Sequence, residues 1–302
     1  MSPLSEYTIV ALPKITLITP SFNQAHYLEA TFKSVLAQEY PNLEWFVVDG
    51  GSKDNSLDLI RRYEKHFAWW VSEKDRNQPH ALNKGYERAT GDVMCFVNSD
   101  DTLEPGVLHY VARHFDQGAD WVVGWAKYFD DAGDEWYFPT RSTNRPLDWL
   151  VHNPVPQIAS FWRTSAREKI GFFTEEFLWS FDYEYWLRMY FKGGYRPKIV
   201  QRCMGGYRLQ PNSKTCSKPE NFVKDDTNLR KVYSPYLSAA DRARLPRELL
   251  KKKIRFERDQ AWRALKEGDV VKARKLAKSA LAASPRLLES WKTIYYAMKG
   301  TY

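Results

Sequence analysis

The chain of 302 residues has little cysteine: Cys95, Cys203 and Cys216 stand far apart and form no CxxC pair. That spacing argues against a disulfide framework and a cysteine-based zinc site, and it suits a reducing cytosol. No apolar run approaches the roughly 18 residues that a spanning helix needs. The N-terminus has no basic region followed by an apolar core, so the expectation is a protein neither secreted nor transmembrane. Glycine is missing where a phosphate loop would need it, since PSFNQAHY after the first expected strand holds none. This counts against a nucleotidyltransferase.

What is present is an ordinary globular composition, 43% apolar with 12 tryptophans, enough for one large α/β domain and a smaller appendage. Charge is unevenly placed. Residues 240–302 carry 17 Lys/Arg against 7 Asp/Glu, so the rest of the chain nets −2 of the overall +8. A nucleic-acid groove would combine aromatics with the basic surplus; here the two lie in different parts of the chain. From Arg247 the tail reads as about three helices, punctuated by Gly268-Asp269 and Ser284-Pro285. Within it, AWRALKEGDVVKARKLAKSALAASP resembles a single tetratricopeptide-type helix pair, though one copy is no array. A basic helical face is either solvated or suited to an anionic membrane surface.

Upstream, strands and helices alternate as in a mostly parallel sheet. Strands are expected at Lys14–Thr19, Leu43–Val48, Ala68–Ser72 and from Val93, with helices near His26–Gln38, from Lys53 through Tyr63, and near Pro79–Ala89. Each strand ends in polar residues: Pro20 and Phe22, Asp49, Glu73 and Asp75, then Asp100 and Asp101. Polar residues at the carboxyl ends of adjacent strands line the crevice where open α/β sheets bind ligands. The stretch VMCFVNSDDTLEPGVL is the sharpest signal, an apolar strand running into two adjacent carboxylates. Oxygen-rich pairs suit Mg²⁺ or Mn²⁺, although Asp101 through Pro105 is also a fair helix-start signal.

PSFNQAHYLEATFKSVLAQEYPNLEWFVVDGGSKDNSLDLI and SEKDRNQPHALNKGYERATGDVMCFVNSDDTLEPGVL resemble the nucleotide-sugar domain of glycosyltransferase family 2, over roughly residues 14–216. The resemblance implies a GT-A type, Rossmann-like α/β fold, a mostly parallel sheet flanked by helices with a C-terminal helical extension. It places this domain at residues 1–238, with a nucleotide-sugar half at about 14–118 and an acceptor half at about 119–216, before a basic helical extension at 239–302. It implies inverting, metal-dependent transfer from a nucleotide-sugar, most simply UDP-linked, to a glycan or lipid-linked hydroxyl. Bacterial surface polysaccharide or lipopolysaccharide synthesis is the implied setting, at the inner face of the membrane.

Carried over residue by residue, Pro20 and Phe22 frame the base and Asp49 contacts uracil or ribose. Asp75, Asn83 and Lys84 face ribose and diphosphate; Asp101 is the first choice as ligand of Mn²⁺ or Mg²⁺, with Asp100 contacting ribose or metal. Gln157 and Trp179 fall on the acceptor side, and the catalytic base falls on Asp182, with Glu184 second. Asp182 also suits a plain capping role at the start of its helix. Three positions depart from the family pattern: Asn98 opens the DXD-like element, His80 replaces a small or acidic residue, and Gln210 stands where His is usual. The segment AKYFDDAGDEWYF reads as a hairpin turning at Asp131–Gly133, without a chemical signal. The competing reading is an inactive nucleotide-sugar or glycan-binding protein on the same fold.

Overall fold

The structure, a computed structural model, describes residues 12–138, 140, 145–211, 213–283, 295 and 299. In chain order these form β1 (Ile15–Ser21), α1 (Ala25–Leu36), β2 (Leu43–Asp49), α2 (Ser56–Tyr63), β3 (Trp69–Ser72), α3 (Gln78–Arg88) and β4 (Val93–Phe96). There follow β5 (Thr102–Leu103), α4 (Val107–Asp116), β6 (Trp121–Asp130), β7 (Glu135–Phe138), α5 (Pro146–Val151), β8 (Ser160–Arg163), α6 (Ala166–Ile170) and α7 (Phe181–Arg188). The chain continues through β9 (Lys198–Leu209), α8 (Lys214–Ser217), α9 (Pro219–Tyr233), α10 (Ala239–Lys266) and α11 (Val270–Ala283).

Two compact units divide the chain. The larger takes the sheet and its helices through Tyr233; α5 groups instead with the chain from Ser234 onward. An α5 outside the sheet unit was not legible in the sequence, where it falls inside the expected acceptor half.

In the larger unit the strand order is β3-β2-β1-β4-β8-β6-β9-β5, with β7 alongside β6. The first four strands in that order are mutually parallel. β1 and β4 are buried throughout, the near-continuous apolar runs that a sheet covered on both faces requires. α1 covers it with Leu28, Thr31, Phe32 and Val35, one stripe at helical spacing. Beyond β4 the pairing turns mixed: β8 is antiparallel to β4 and β6, β9 is parallel to β6, and β5 and β7 are antiparallel to β9 and β6. The parallel character read from the sequence therefore belongs to residues 15–96, where each strand returns through a crossover helix. The β6–β7 hairpin turns at Asp131–Gly133 as expected, with Gly133 at φ +89.

Trp121, Trp162 and Trp186 are fully buried, and Trp121 stacks on Trp186 with ring centroids 5.5 Å apart. A buried carboxylate ties the sheet's lower end together. Glu44 on β2 accepts from the Thr16 hydroxyl, from both the N–H and hydroxyl of Thr90, and pairs with Lys14 at 2.7 Å. Burial alone would raise its pKa, but Lys14, Thr16 and Thr90 together hold it down to about 2. Because the folded pKa lies below the unfolded value, this contribution is complete above pH 4.5 and is lost as pH falls towards 2. Glu44→Ala should cost about 2–4 kcal/mol, since it strands three donors and a cation. Urea denaturation at neutral pH measures it; a loss under about 0.5 kcal/mol refutes the bracing role.

In the second unit α10 and α11 pack through Ala261 and Ala264 against Ala273 and Ala277, flanked by Leu265 and Leu276. Gly268 at φ +80 ends α10, and the Asp269 carboxylate accepts the Lys272 N–H to start α11. The two helices meet at the predicted Gly268-Asp269 break. The third expected helix lies outside the described residues. No helix among the described residues is long and apolar enough to cross a membrane.

Candidate active site

One cavity of about 840 Å³ opens at the carboxyl ends of β1, β2 and β4. Pro20, Phe22, Asp75, Asp100, Gln157, Trp179 and Asp182 all line it, so seven of the residues singled out from the sequence converge. Asp49, Asn83, Lys84, Asp101 and Glu184 are not among the lining residues. Each of the five is held by protein groups behind the wall.

Asp49 ends β2 and is fully buried. Its carboxylate accepts the Gly51 and Ser52 N–H groups and the Ser52 and Ser72 hydroxyls. Gly51 at φ +80 allows that turn to fold back. Asp49 thus braces the turn beside the cavity-lining Gly50 and Phe22. Lys84 is pinned between Asp75 at 2.5 Å and Glu73 at 2.8 Å, and it fixes the cavity-lining Asp75 carboxylate. The Asn83 amide exchanges two hydrogen bonds with the backbone of Phe173, tying α3 to the chain ahead of α7. Glu184 is engaged by Arg188 at 2.7 Å and by the Tyr233 hydroxyl at 2.7 Å. Both oxygens of Glu184 are thus engaged away from the cavity, which leaves Asp182 as the candidate facing it.

The acid turn after β4 has a front and a back. Asp100 lines the cavity and accepts from Gln210 Nε2 at 3.2 Å. Asp101 is 1% exposed; one oxygen accepts the Arg208 backbone N–H at 3.0 Å and the other accepts Asn98 Nδ2 at 3.0 Å. Burial raises both carboxyl pKa values, and the Asp100 charge raises Asp101 further. Two desolvated, mutually repelling carboxylates need positive charge nearby. Among the described residues no three His, Cys, Asp or Glu side chains gather as a cage. Two carboxylates are the protein share expected of a Mg²⁺ or Mn²⁺ that completes its shell with water and substrate phosphate. On this chemistry the pair fits a divalent ion.

The departures Asn98 and Gln210 acquire a physical reason. Lys214 donates to Gln78 Oε1 at 3.0 Å, Gln78 Nε2 donates to Asn98 Oδ1 at 2.8 Å, and Asn98 Nδ2 donates to Asp101 and to Gln157 Oε1 at 3.1 Å. An ammonium can only donate, so each amide in the chain is oriented by the one before it. Asn98 thereby offers its N–H groups to Asp101, where an Asp would add a third repelling carboxylate. His80 sits in the first turn of α3, with Nδ1 3.3 Å from Asp75.

The sequence reading missed three contributors. Arg208 on β9 bonds Asp101 through its N–H, the Asp100 carbonyl through Nε at 3.1 Å and Asp131 at 2.8 Å. The β6–β7 hairpin, expected to be chemically silent, supplies that Asp131 and places Tyr128 on the cavity wall. Lys214 lines the cavity 5.9 Å from the Trp179 ring and 5.8 Å from the Phe181 ring, and it donates to neutral oxygens of Gln78 and Leu178. Burial lowers its pKa, against the pull of Asp182 and Asp225. No local motif marks these residues; a lysine in RLQPNSKT was the faint signal available. Asp182, at the start of α7, is half-buried, and burial lifts its pKa to about 6.

A crevice at the ends of parallel strands, with a paired-acid turn on one side and a desolvated carboxylate on the other, defines an α/β transferase of GT-A type. The sequence model of Glycosyl transferase family 2 matches residues 16–179. The chain belongs to that family and is a glycosyltransferase. It is 32% identical over 193 residues to an uncharacterised glycosyltransferase of Mycobacterium tuberculosis, covering 60% of this chain and 70% of that protein. It is 23% identical over 266 residues to the GalNAc(5)-diNAcBac-PP-undecaprenol beta-1,3-glucosyltransferase of Campylobacter jejuni, covering 83% and 79%. Among solved structures, Staphylococcus aureus TarS 1–349 in complex with UDP-GlcNAc shares the fold at TM-score 0.60 and 17% identity, over 95% of this chain and 88% of that one. A mannosyltransferase of Pyrobaculum calidifontis in complex with GDP-Man and Mn²⁺ does so at TM-score 0.53 and 20% identity, over 95% and 85%. Asp182, Gln210 and Lys214 lie beyond the segment the family model matches.

Proposed function

We propose that this glycosyltransferase transfers a sugar from a UDP-sugar to a hydroxyl of a glycan or lipid-linked acceptor, with inversion at the anomeric carbon, in bacterial surface polysaccharide synthesis. The observation that carries the reading is that Asp100 and Asp182 line one cavity, the first in a braced acid turn, the second desolvated at the start of α7. The TarS complex with UDP-GlcNAc and the C. jejuni glucosyltransferase, named for an undecaprenol-linked acceptor, support the donor and acceptor classes.

Pro20 and Phe22 frame the base, with Asp49 holding the adjacent turn, and Asp75, set by Lys84, faces the ribose. Asp100 and Asp101 would hold Mn²⁺ or Mg²⁺; when bound, the ion neutralises charge on the leaving diphosphate. Gln157 and Trp179 border the acceptor. Asp182 takes the proton from the acceptor hydroxyl as its oxygen bonds to the anomeric carbon and the bond to the diphosphate breaks. Lys214 supplies a cation on the same wall. The basic tail, with Phe256 exposed on α10, suits contact with an anionic membrane surface carrying a lipid-linked acceptor.

The test is UDP release from a panel of UDP-sugars with Mn²⁺, with and without chelator. Turnover of one donor that chelation abolishes and Mn²⁺ restores is the expected result. UDP binding without turnover of any donor would leave a nucleotide-sugar-binding protein instead. The pH dependence follows from Asp182: only its ionised form accepts a proton, so kcat/KM should rise with pH and level off above a midpoint near 6. A profile flat from pH 5 to 7.5 would remove Asp182 from the base role.

A further inference from the structure

The turn that presents Asp182 is held from outside the family-matched segment. Ser180 occupies the position before α7 but makes no side-chain cap of its own. Its hydroxyl goes instead to Asp226 Oδ1 on α9 at 3.1 Å. The neighbouring Asp225, 9% exposed, receives on one oxygen the backbone N–H groups of Trp179 at 2.9 Å and Ser180 at 3.3 Å. Arg230, one helical turn along α9, pairs with Asp226 at 3.2 Å. Phe222, also on α9 and also lining the cavity, meets the Trp179 ring edge-on at 5.7 Å. Four contacts thus run from one face of α9 to two consecutive residues, Trp179 and Ser180, just ahead of Asp182.

We infer that Asp225 and Asp226 are positioning residues, which hold the Trp179–Asp182 turn so that the base carboxylate and the Trp179 ring face the acceptor together. This rests on the reading of Asp182 as the base. Without Asp225 the Trp179 N–H loses its acceptor, while the Ser180 N–H keeps the Phe177 carbonyl at 3.2 Å. A buried N–H that loses its acceptor must find another, and the turn moves to do so. A shift of about 1 Å in a reacting group costs on the order of 10²-fold in rate. Asp226 contributes in a second way, because its charge helps keep Asp182 protonated to higher pH. The charged and titratable groups facing Asp182 are Asp226 from α9, Lys214 from α8 and Tyr128 from β6. Lys214 opposes Asp226, so removing Asp226 leaves the cation dominant.

The experiment uses the full chain with Asp225→Ala, Asp225→Asn, Asp226→Asn and Asp182→Asn. Asp225→Ala should lower UDP release from the donor by about 10- to 10²-fold while UDP affinity stays within about twofold. Hydrogen exchange at the Trp179 amide should quicken, and Asp225→Asn, whose amide oxygen still accepts, should recover part of both. In Asp226→Asn the carbon-13 titration of the Asp182 carboxyl, assigned by its absence from Asp182→Asn, should move to lower pH. Unchanged amide exchange and turnover in Asp225→Ala overturn the inference, as does an unmoved Asp182 titration in Asp226→Asn. If Asp182→Asn itself keeps its turnover, the base reading has failed, a result separate from either of these.

Discussion

Asp182→Asn should lower turnover by about 10²- to 10⁴-fold and leave UDP affinity within about twofold. The substitution keeps the side chain's size and its acceptor oxygen at the start of α7, so the helix is retained. What it removes is the ability to accept a proton. Asp182 and Trp179 line the cavity ahead of α7, whereas the residues proposed to hold the donor sit on the turns after β1, β3 and β4, so donor binding has no reason to change. The contrast with its neighbour sharpens the test. Glu184→Gln breaks a buried contact to Arg188 and Tyr233, and should therefore lower stability while sparing chemistry. Calorimetry with UDP and initial rates of UDP release separate the two. If Asp182→Asn retains more than about a tenth of wild-type kcat, another group is the base.

Asp100→Ala and Asp101→Ala should each weaken Mn²⁺-dependent UDP binding by at least about 10²-fold, since loss of a direct ligand exceeds the 10- to 100-fold typical of supporting groups. The two should differ in stability. Asp100 gives up its contact with Gln210, whereas Asp101→Ala leaves the Arg208 N–H without its acceptor and the Asn98 amide with Gln157 alone of its two acceptors. Each orphaned donor costs about 1–3 kcal/mol, which lowers Tm by several degrees for Asp101→Ala and little for Asp100→Ala. Titration of UDP with Mn²⁺, and again with excess chelator, is the measurement. Should Asp101→Ala bind as wild type does, Asp101 is a brace for the turn and Asp100 carries the site alone.

The donor half was legible because its signals are local. β1 and β2 are mostly buried, largely apolar runs, α1 between them carries one buried stripe, and β1, β2 and β3 stop at polar residues that the parallel sheet delivers to one rim. Residue type alone, however, did not say which carboxylates face the cavity. Asp49, Asp75, Asp100 and Asp101 look alike in the sequence, yet two line the cavity and two accept hydrogen bonds behind it. The rest of the cavity wall was less legible, because it is assembled from segments remote in sequence: Tyr128 from the β6–β7 hairpin, Lys214 from α8 and Phe222 from α9.

The sequence by itself determined the parallel α/β core, the acid turn after β4, the helix that begins near Asp182 and the helical break at Gly268. Each depends on periodicity or turn chemistry within a dozen residues, where the backbone's own preferences suffice. Only the tertiary structure decided that Asp100 stands in front of Asp101, that Lys214 orients Asn98 through Gln78, that α5 leaves the sheet unit, and that α9 holds the turn before Asp182. Those outcomes turn on burial and on pairs up to 136 residues apart, such as Lys214 with Gln78. Such pairs form only once the sheet has brought its distant segments together.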